Sequence, residues 1–306
     1  MTRPHIELGG GAEFDVVRRL LEIWGDQACG IGDDAALVEI PHGEQLVVSV
    51  DAAVENIHFR REWFTLEDIG YRSTMAALSD LAAMAATPRG MLLSLVLPVG
   101  SEGDVDAIAR GVGAAAARAQ CPILGGNLSR GFELSLSTTV LGSATNPLRR
   151  SGARRGDALY VTGFLGAPNQ ALNELKAGRL PSPDAMARFA RPCARIDEAR
   201  WLLDAGATAC VDISDGLQAD CSHIESASGV SCLIDLSAIP CSEGISPAEA
   251  LTSGEEYELL VTMPGGTEPD VAGFQRLFGI PLTRIGVVDA PAAVIHRVSS
   301  GWDHFG

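Results

Sequence analysis

Strand-length and helix-length apolar patterns follow one another along both halves of this chain without settling into strict alternation. Strict alternation builds a doubly wound parallel sheet, whereas a mixed order builds α+β layers, so the order alone points to α+β. The helical period runs over 13–27, 66–86 (stopped by Thr87-Pro88) and the Ala-rich 102–120. Strand patterns run over 45–51, ending as a buried strand on Asp51, over 91–97, over 124–127 as a short strand entering a glycine turn, and over 133–141. Residues 143–155 (SATNPLRRSGARR) are polar, basic and carry Pro and Gly, as a domain boundary does. A length of 306 residues suits two domains, expected at 1–146 and 147–306. The second half reads as strands over 158–162, 209–213, 232–236, 257–262, 282–287 and 293–296, with helices over 168–177, 183–190, 194–205 and 217–228.

Charge narrows the partners. Lys and Arg number 23 against 39 Asp and Glu, a net charge of −16, which argues against a phosphate-neutralising nucleic-acid surface. No apolar run reaches the roughly 18 residues of a membrane span. The first residues lack the apolar stretch of a secretion signal, and the seven cysteines form no CxxC pair. The expectation is a cytoplasmic chain with reduced thiols and neither membrane nor nucleic-acid partners. The single lysine, Lys176, excludes a Walker A loop and a protein-kinase-type β3 lysine.

Aspartates recur at the ends of apolar elements beside Gly or Ser: Gly32-Asp33-Asp34, Ser49-Val50-Asp51, Ser79-Asp80 and Asp212-Ile213-Ser214-Asp215-Gly216. Asp80 is the most telling. It lies among Ala76, Ala77, Leu78, Leu81 and Ala82, with no Lys or Arg between Arg72 and Arg89 to pair with it. A carboxylate in so apolar a setting needs a partner from elsewhere or a metal. Between Arg200 and Arg276 the chain has thirteen acids and no basic Lys or Arg. Those that converge must repel, protonate or bind cations. Many hard oxygen ligands with almost no lysine point to Mg²⁺ as the handle on a phosphate.

Other candidates are less specific. Gly125-Gly126-Asn127 with Arg130 suits an anion-binding turn, and Arg149-Arg150 suits a phosphate clamp or a solvated basic patch. His58 is either a satisfied polar residue or a substrate contact. Glu255, Glu256 and Glu258 would meet a cationic ligand or water. Trp302 is either core or a stacking platform.

The order of these motifs resembles the thiamine-monophosphate kinases along nearly the whole chain. The residues that carry the resemblance are Gly11-Ala12-Glu13-Phe14, Gly30-Ile31-Gly32-Asp33-Asp34-Ala35-Ala36, Ser49-Val50-Asp51, His58-Phe59, Leu78-Ser79-Asp80-Leu81-Ala82-Ala83-Met84, Gly125-Gly126-Asn127, Asp212-Ile213-Ser214-Asp215-Gly216-Leu217, Glu255-Glu256-Tyr257-Glu258-Leu259 and Trp302-Asp303-His304-Phe305. The wider superfamily includes aminoimidazole ribonucleotide synthetase. The resemblance implies two α+β domains of that type, an N-terminal domain forming a dimer barrel with a second copy, and a C-terminal domain closing the active site. It implies several Mg²⁺ ions held by Asp34, Ser49, Val50, Asp51, Asp80, Asn127, Asp212 and Asp215. ATP would contact Gly126, Asn127, Arg150 and Ser214, and thiamine monophosphate would contact His58, Glu255 and Trp302. A thiazolium cation suits a carboxylate and an aromatic face. The implied reaction moves the ATP γ-phosphoryl group onto a phosphate oxygen, already anionic at neutral pH, so no residue is expected as general base.

Three positions depart from the family. Asn127 stands where Asp is usual, Val50 where Thr is usual, and Ser253-Gly254-Glu255-Glu256 replaces Gly-Gly-Glu/Asp-Asp. They leave open a different small-molecule acceptor within the superfamily, or a nucleotide-binding paralogue with impaired catalysis.

Overall fold

A computed structural model describes residues 8–291, so the expected strand over 293–296 and Trp302 lie outside the described residues. The chain divides into two compact units, one of residues up to Leu81 with Ala86–Asn146, the other of Ala82–Ala85 with the residues from Pro147 on.

The first unit carries α1 (Ala12–Trp24), β1 (Gln45–Val54), α2 (Leu66–Ala83), β2 (Thr87–Pro98), α3 (Val105–Arg118), β3 (Ile123–Gly131) and β4 (Ser135–Ala144). Its sheet has the order β1-β4-β2-β3, antiparallel except for the parallel β2–β3 pair. Strand β1 is an edge strand, not the buried strand ending on Asp51 that its β-branched run suggests; it continues to Val54. Leu46, Val48 and Val50 are exposed on one face (51%, 54% and 65%), while Val47 and Ser49 face inward with Met91, Leu95, Leu136 and Val140. Helix α2 lies against that inner face, buried on nearly all sides from Ile69 to Ala82. Helix α3 crosses it so closely that a Cβ on Gly111 would stand 1.9 Å from the Glu67 carbonyl oxygen; only glycine fits.

Two sequence expectations shift here. Helix α2 stops at Ala83, not 86, because the Ala85 and Ala86 amides turn back to the Ala82 and Leu81 carbonyls, with Ala85 at φ 50°, and the chain enters β2 at Thr87. The glycine turn expected at 125–126 is continuous strand. A bulge beside Leu92 admits the extra residue, and Gly126 is glycine because a Cβ there would meet the Leu93 carbonyl oxygen at 1.9 Å.

The second unit carries β5 (Ala158–Thr162), α4 (Ala167–Lys176), α5 (Pro183–Ala190), α6 (Ile196–Asp204), β6 (Ala209–Asp212), α7 (Leu217–Ser228), β7 (Ser231–Ile234), α8 (Pro247–Leu251), β8 (Leu259–Met263), α9 (Val271–Phe278) and β9 (Leu282–Asp289). Its antiparallel sheet runs β6-β8-β5-β9-β7. Every residue of β5 and β8 is buried, as befits strands at the centre of the sheet. Leu159, Val161, Val211, Leu217, Ile224, Leu260 and Ile285 form one core with α7. Trp201 of α6 meets Phe274 of α9 edge to face, with ring centroids 5.3 Å apart. Among the described residues, no helix is long and apolar enough to cross a membrane.

Candidate active site

In the first unit the sheet and α2 bring two of the expected residues together. Ser49 Oγ donates to Asp80 Oδ2 at 2.5 Å, which answers the missing partner of Asp80. The strand period places Asp51 on the same face of β1, two residues on, where its Oδ1 accepts the Ala52 amide. Val50 points to the opposite, exposed face. Asp34 lies in an exposed bend, its amide bonded to Asp33 Oδ1, and the structure does not join it to Ser49 or Asp80. Gly126 pairs in register with Leu93, and exposed Asn127 with Ser94. The strand takes up part of the backbone that a free anion-binding turn would have offered there. His58 accepts the Val54 amide at Nδ1, closing the turn that follows β1.

In the second unit the residues converge on one turn. Strand β6 ends at buried Asp212, and Ile213 to Gly216 lead into α7. Asp220, one turn into α7 and 2% exposed, accepts the amides of Ser214, Asp215 and Gly216 on Oδ2, each at 3.0 Å. Burial, with repulsion from Asp212 and Asp215, pushes its pKa up from 3.8 to about 7. Asp215, Asp220 and His223 each present a ligand atom within 4.8 Å of the others. Burial and the Arg150 charge hold the His223 pKa down, with Asp215 pulling the other way. The Arg150 charge acts on His223, while its carbonyl accepts Ser228 Oγ at the far end of α7. Glu255 reaches it too, its amide bonded to the Ser214 carbonyl at 2.7 Å and its φ at 59°. Carboxylates clustered closely enough to repel fit a hard divalent cation, which relieves the repulsion.

Neighbouring acids have structural roles that their sequence spacing hides. Glu258 is buried, takes Arg195 on both oxygens (2.9 and 2.6 Å) and accepts Thr162 Oγ1 at 2.7 Å. Glu256 accepts the Gly166 amide at 2.6 Å, ahead of α4, and Ser253 Oγ at 2.5 Å. Neither is a solvated acid, and their arginine partners come from a helical region some sixty residues earlier. Asp220 is the functional-region residue that sequence reasoning passes over. Its position in the first turns of a helix, four residues after a Gly216 with no side chain to cap it, was the available signal.

Two mixed α/β units, each with carboxylates gathered at a strand end or edge, are the architecture of the AIR synthase class. The chain matches the model for AIR synthase related protein, N-terminal domain, over residues 32–144, and that for the C-terminal domain over 154–298. Relatives narrow it further. The thiamine-monophosphate kinase of Salmonella typhimurium is 35% identical over 92% of this chain and 93% of its own, and that of Haemophilus influenzae 32% over 96% and 98%. The chain belongs to the thiamine-monophosphate kinase family. Among solved structures, the Stenotrophomonas maltophilia thiamine-monophosphate kinase is 35% identical with a TM-score of 0.81, covering 93% of this chain and 95% of that one. AaThiL complexed with AMPPCP and TMP is 30% identical with a TM-score of 0.78, covering 96% of each. Hydrogenase maturation protein HypE shares the fold alone, at 21% identity and a TM-score of 0.75.

Proposed function

We infer that this chain transfers the γ-phosphoryl group of ATP to thiamine monophosphate, giving thiamine diphosphate and ADP, in the cytoplasm. The observation that carries this reading is likeness along 96% of both chains to AaThiL, a structure holding AMPPCP and TMP together. The carboxylate sets of the two units support it. Asp34, Ser49, Asp51, Asp80, Asp212 and Asp215, with the Val50 carbonyl and the Asn127 side-chain oxygen, are assigned to Mg²⁺. Gly126, Asn127, Arg150 and Ser214 are assigned to ATP, and His58, Glu255 and Trp302 to thiamine monophosphate. The first unit is assigned metal, nucleotide and dimer contacts, and the second is assigned its own metal, nucleotide and substrate contacts.

When bound, Mg²⁺ neutralises charge on the transferring group. The chain's own residues do the rest. Asp80, held by Ser49, and Asp212, held at the end of β6, present fixed oxygens, so little reorganisation accompanies the reaction. Arg150 offers its charge to a phosphate beside the Ser214 turn. The Glu255 carboxylate attracts the thiazolium cation and orients the acceptor phosphate. No side chain has to remove a proton, because the acceptor oxygen is already anionic.

The exposed face bearing Leu46, Val48 and Val50 supports a homodimer closed through this sheet. A second reading, nucleotide binding without turnover, is favoured by Asn127, which lacks the charge of the usual Asp. One assay separates the two. With ATP, thiamine monophosphate and titrated Mg²⁺, we expect equal amounts of ADP and thiamine diphosphate. Tight Mg²⁺–nucleotide binding without product overturns the kinase reading.

A further inference from the structure

We propose that Asp220 is a positioning residue: it sets the Ser214–Gly216 turn so that Ser214 and Asp215 face the nucleotide and its metal. This rests on the site assignment made above for those two residues.

The first amides of a helix have no partner within it, and a side chain just before the helix ordinarily supplies the acceptor. Gly216 precedes α7 and has no side chain to offer. Asp220 reaches back from inside the helix, past its first-turn amides, and one oxygen gathers the amides of Ser214, Asp215 and Gly216 at 3.0 Å each. Three successive amides aimed at one atom fix the backbone between them, and with it the direction in which the Ser214 and Asp215 side chains leave the turn.

The other side of the turn is held as firmly. The Ser214 carbonyl accepts the Glu255 amide at 2.7 Å and the Ile213 carbonyl accepts the Tyr257 amide at 2.9 Å. A Cβ on Gly254 would stand 2.7 Å from the Ser214 oxygen, so the two segments pack backbone to backbone. The turn is therefore clamped between Asp220 and the segment bearing Glu255. Two of the three amides, those of Ser214 and Asp215, lie before the helix, so capping of α7 does not account for the arrangement. What the three convergent bonds hold is the turn itself.

The test compares wild type with Asp220→Ala and Asp220→Asn. Asparagine keeps an acceptor oxygen and loses the charge. Three readouts are taken: hydrogen exchange at the amides of 214–216, calorimetric binding of AMPPCP with Mg²⁺, and steady-state kinetics. In Asp220→Ala we expect faster exchange at those amides and a dissociation constant for Mg²⁺–AMPPCP raised about 10- to 100-fold. The KM for thiamine monophosphate should move less than about twofold, and Asp220→Asn should restore most of the nucleotide affinity. Should Asp220→Ala not fold, Asp220→Ser, which supplies a shorter acceptor, makes the same comparison. A folded variant lacking the carboxylate that binds Mg²⁺–AMPPCP as wild type does overturns the proposal, as does an Asp220→Asn protein as impaired as the alanine variant. If wild type binds the nucleotide but forms no thiamine diphosphate, the kinase reading fails, and the binding difference still decides the role of Asp220.

Discussion

Ser49 Oγ on edge strand β1 lies 2.5 Å from Asp80 Oδ2 on helix α2, joining residues 31 positions apart. The hydroxyl orients a carboxylate that its own helix leaves without a cation. If Asp80 holds Mg²⁺, Asp80→Ala removes several kcal/mol of charge stabilisation, about 1,000-fold or more in turnover, with an unchanged circular dichroism spectrum. Ser49→Ala, which loses the orienting contact and the hydroxyl assigned to Mg²⁺ but no charge, should cost about 10- to 100-fold. Wild-type kinetics in Asp80→Ala would remove the metal assignment.

Asn127 is exposed on edge strand β3, so exchanging its amide for a carboxylate costs the fold little, about 0.5 kcal/mol or less. Asn127→Asp is expected to keep or raise turnover and to lower the Mg²⁺ concentration needed for half-maximal rate. A large loss would mean that the site has been rebuilt around asparagine.

Glu258 and Arg195 form a two-pronged buried pair that also engages Thr162. Arg188 keeps a 3.2 Å contact with Glu258, so Arg195→Ala leaves the buried carboxylate with one cation of two and should destabilise the second unit by at most about 3–5 kcal/mol. Urea unfolding followed by tryptophan fluorescence measures this through Trp201 on the adjacent helix α6. A shift within error would show that water reaches the vacated space.

Glu256 gives stability a pH dependence. Burial lifts its pKa from 4.5 to about 7, so between those values the folded chain binds more protons than the unfolded one. Its burial is least costly below the unfolded value, and stability declines as pH rises through the folded value. From about pH 5 to about pH 7.5 the decline from this group is about 2.5 kcal/mol, and Glu256→Gln should flatten it. Denaturant midpoints across that window, without added Mg²⁺, check the slope. A wild-type curve rising with pH and unaffected by the substitution would contradict it.

Val48 lies at the centre of the exposed apolar row of β1. If this face closes a homodimer, Val48→Asp should convert the dimer to monomer by light scattering, since a buried unpaired charge is strongly disfavoured. A wild-type protein already monomeric at working concentration would refute the interface.

Periodicity and composition were enough, on their own, to establish the α+β class, most element positions and the acid-rich, lysine-poor character of the chain, because these depend on local pattern and side-chain chemistry. Motif order carried the family. Sequence could not assign the acids their separate duties. Glu256 and Glu258 look like the exposed acids around them, yet they are buried because arginines from α5 and just before α6 meet them only after the sheet forms. Asp220 appears as one acid among thirteen until the turn before α7 aims three amides at it. The Gly125-Gly126 pair reads as a turn until β2 takes it as a strand. In each case the deciding partner is distant along the chain, and a carboxylate's role follows from what tertiary packing places against it.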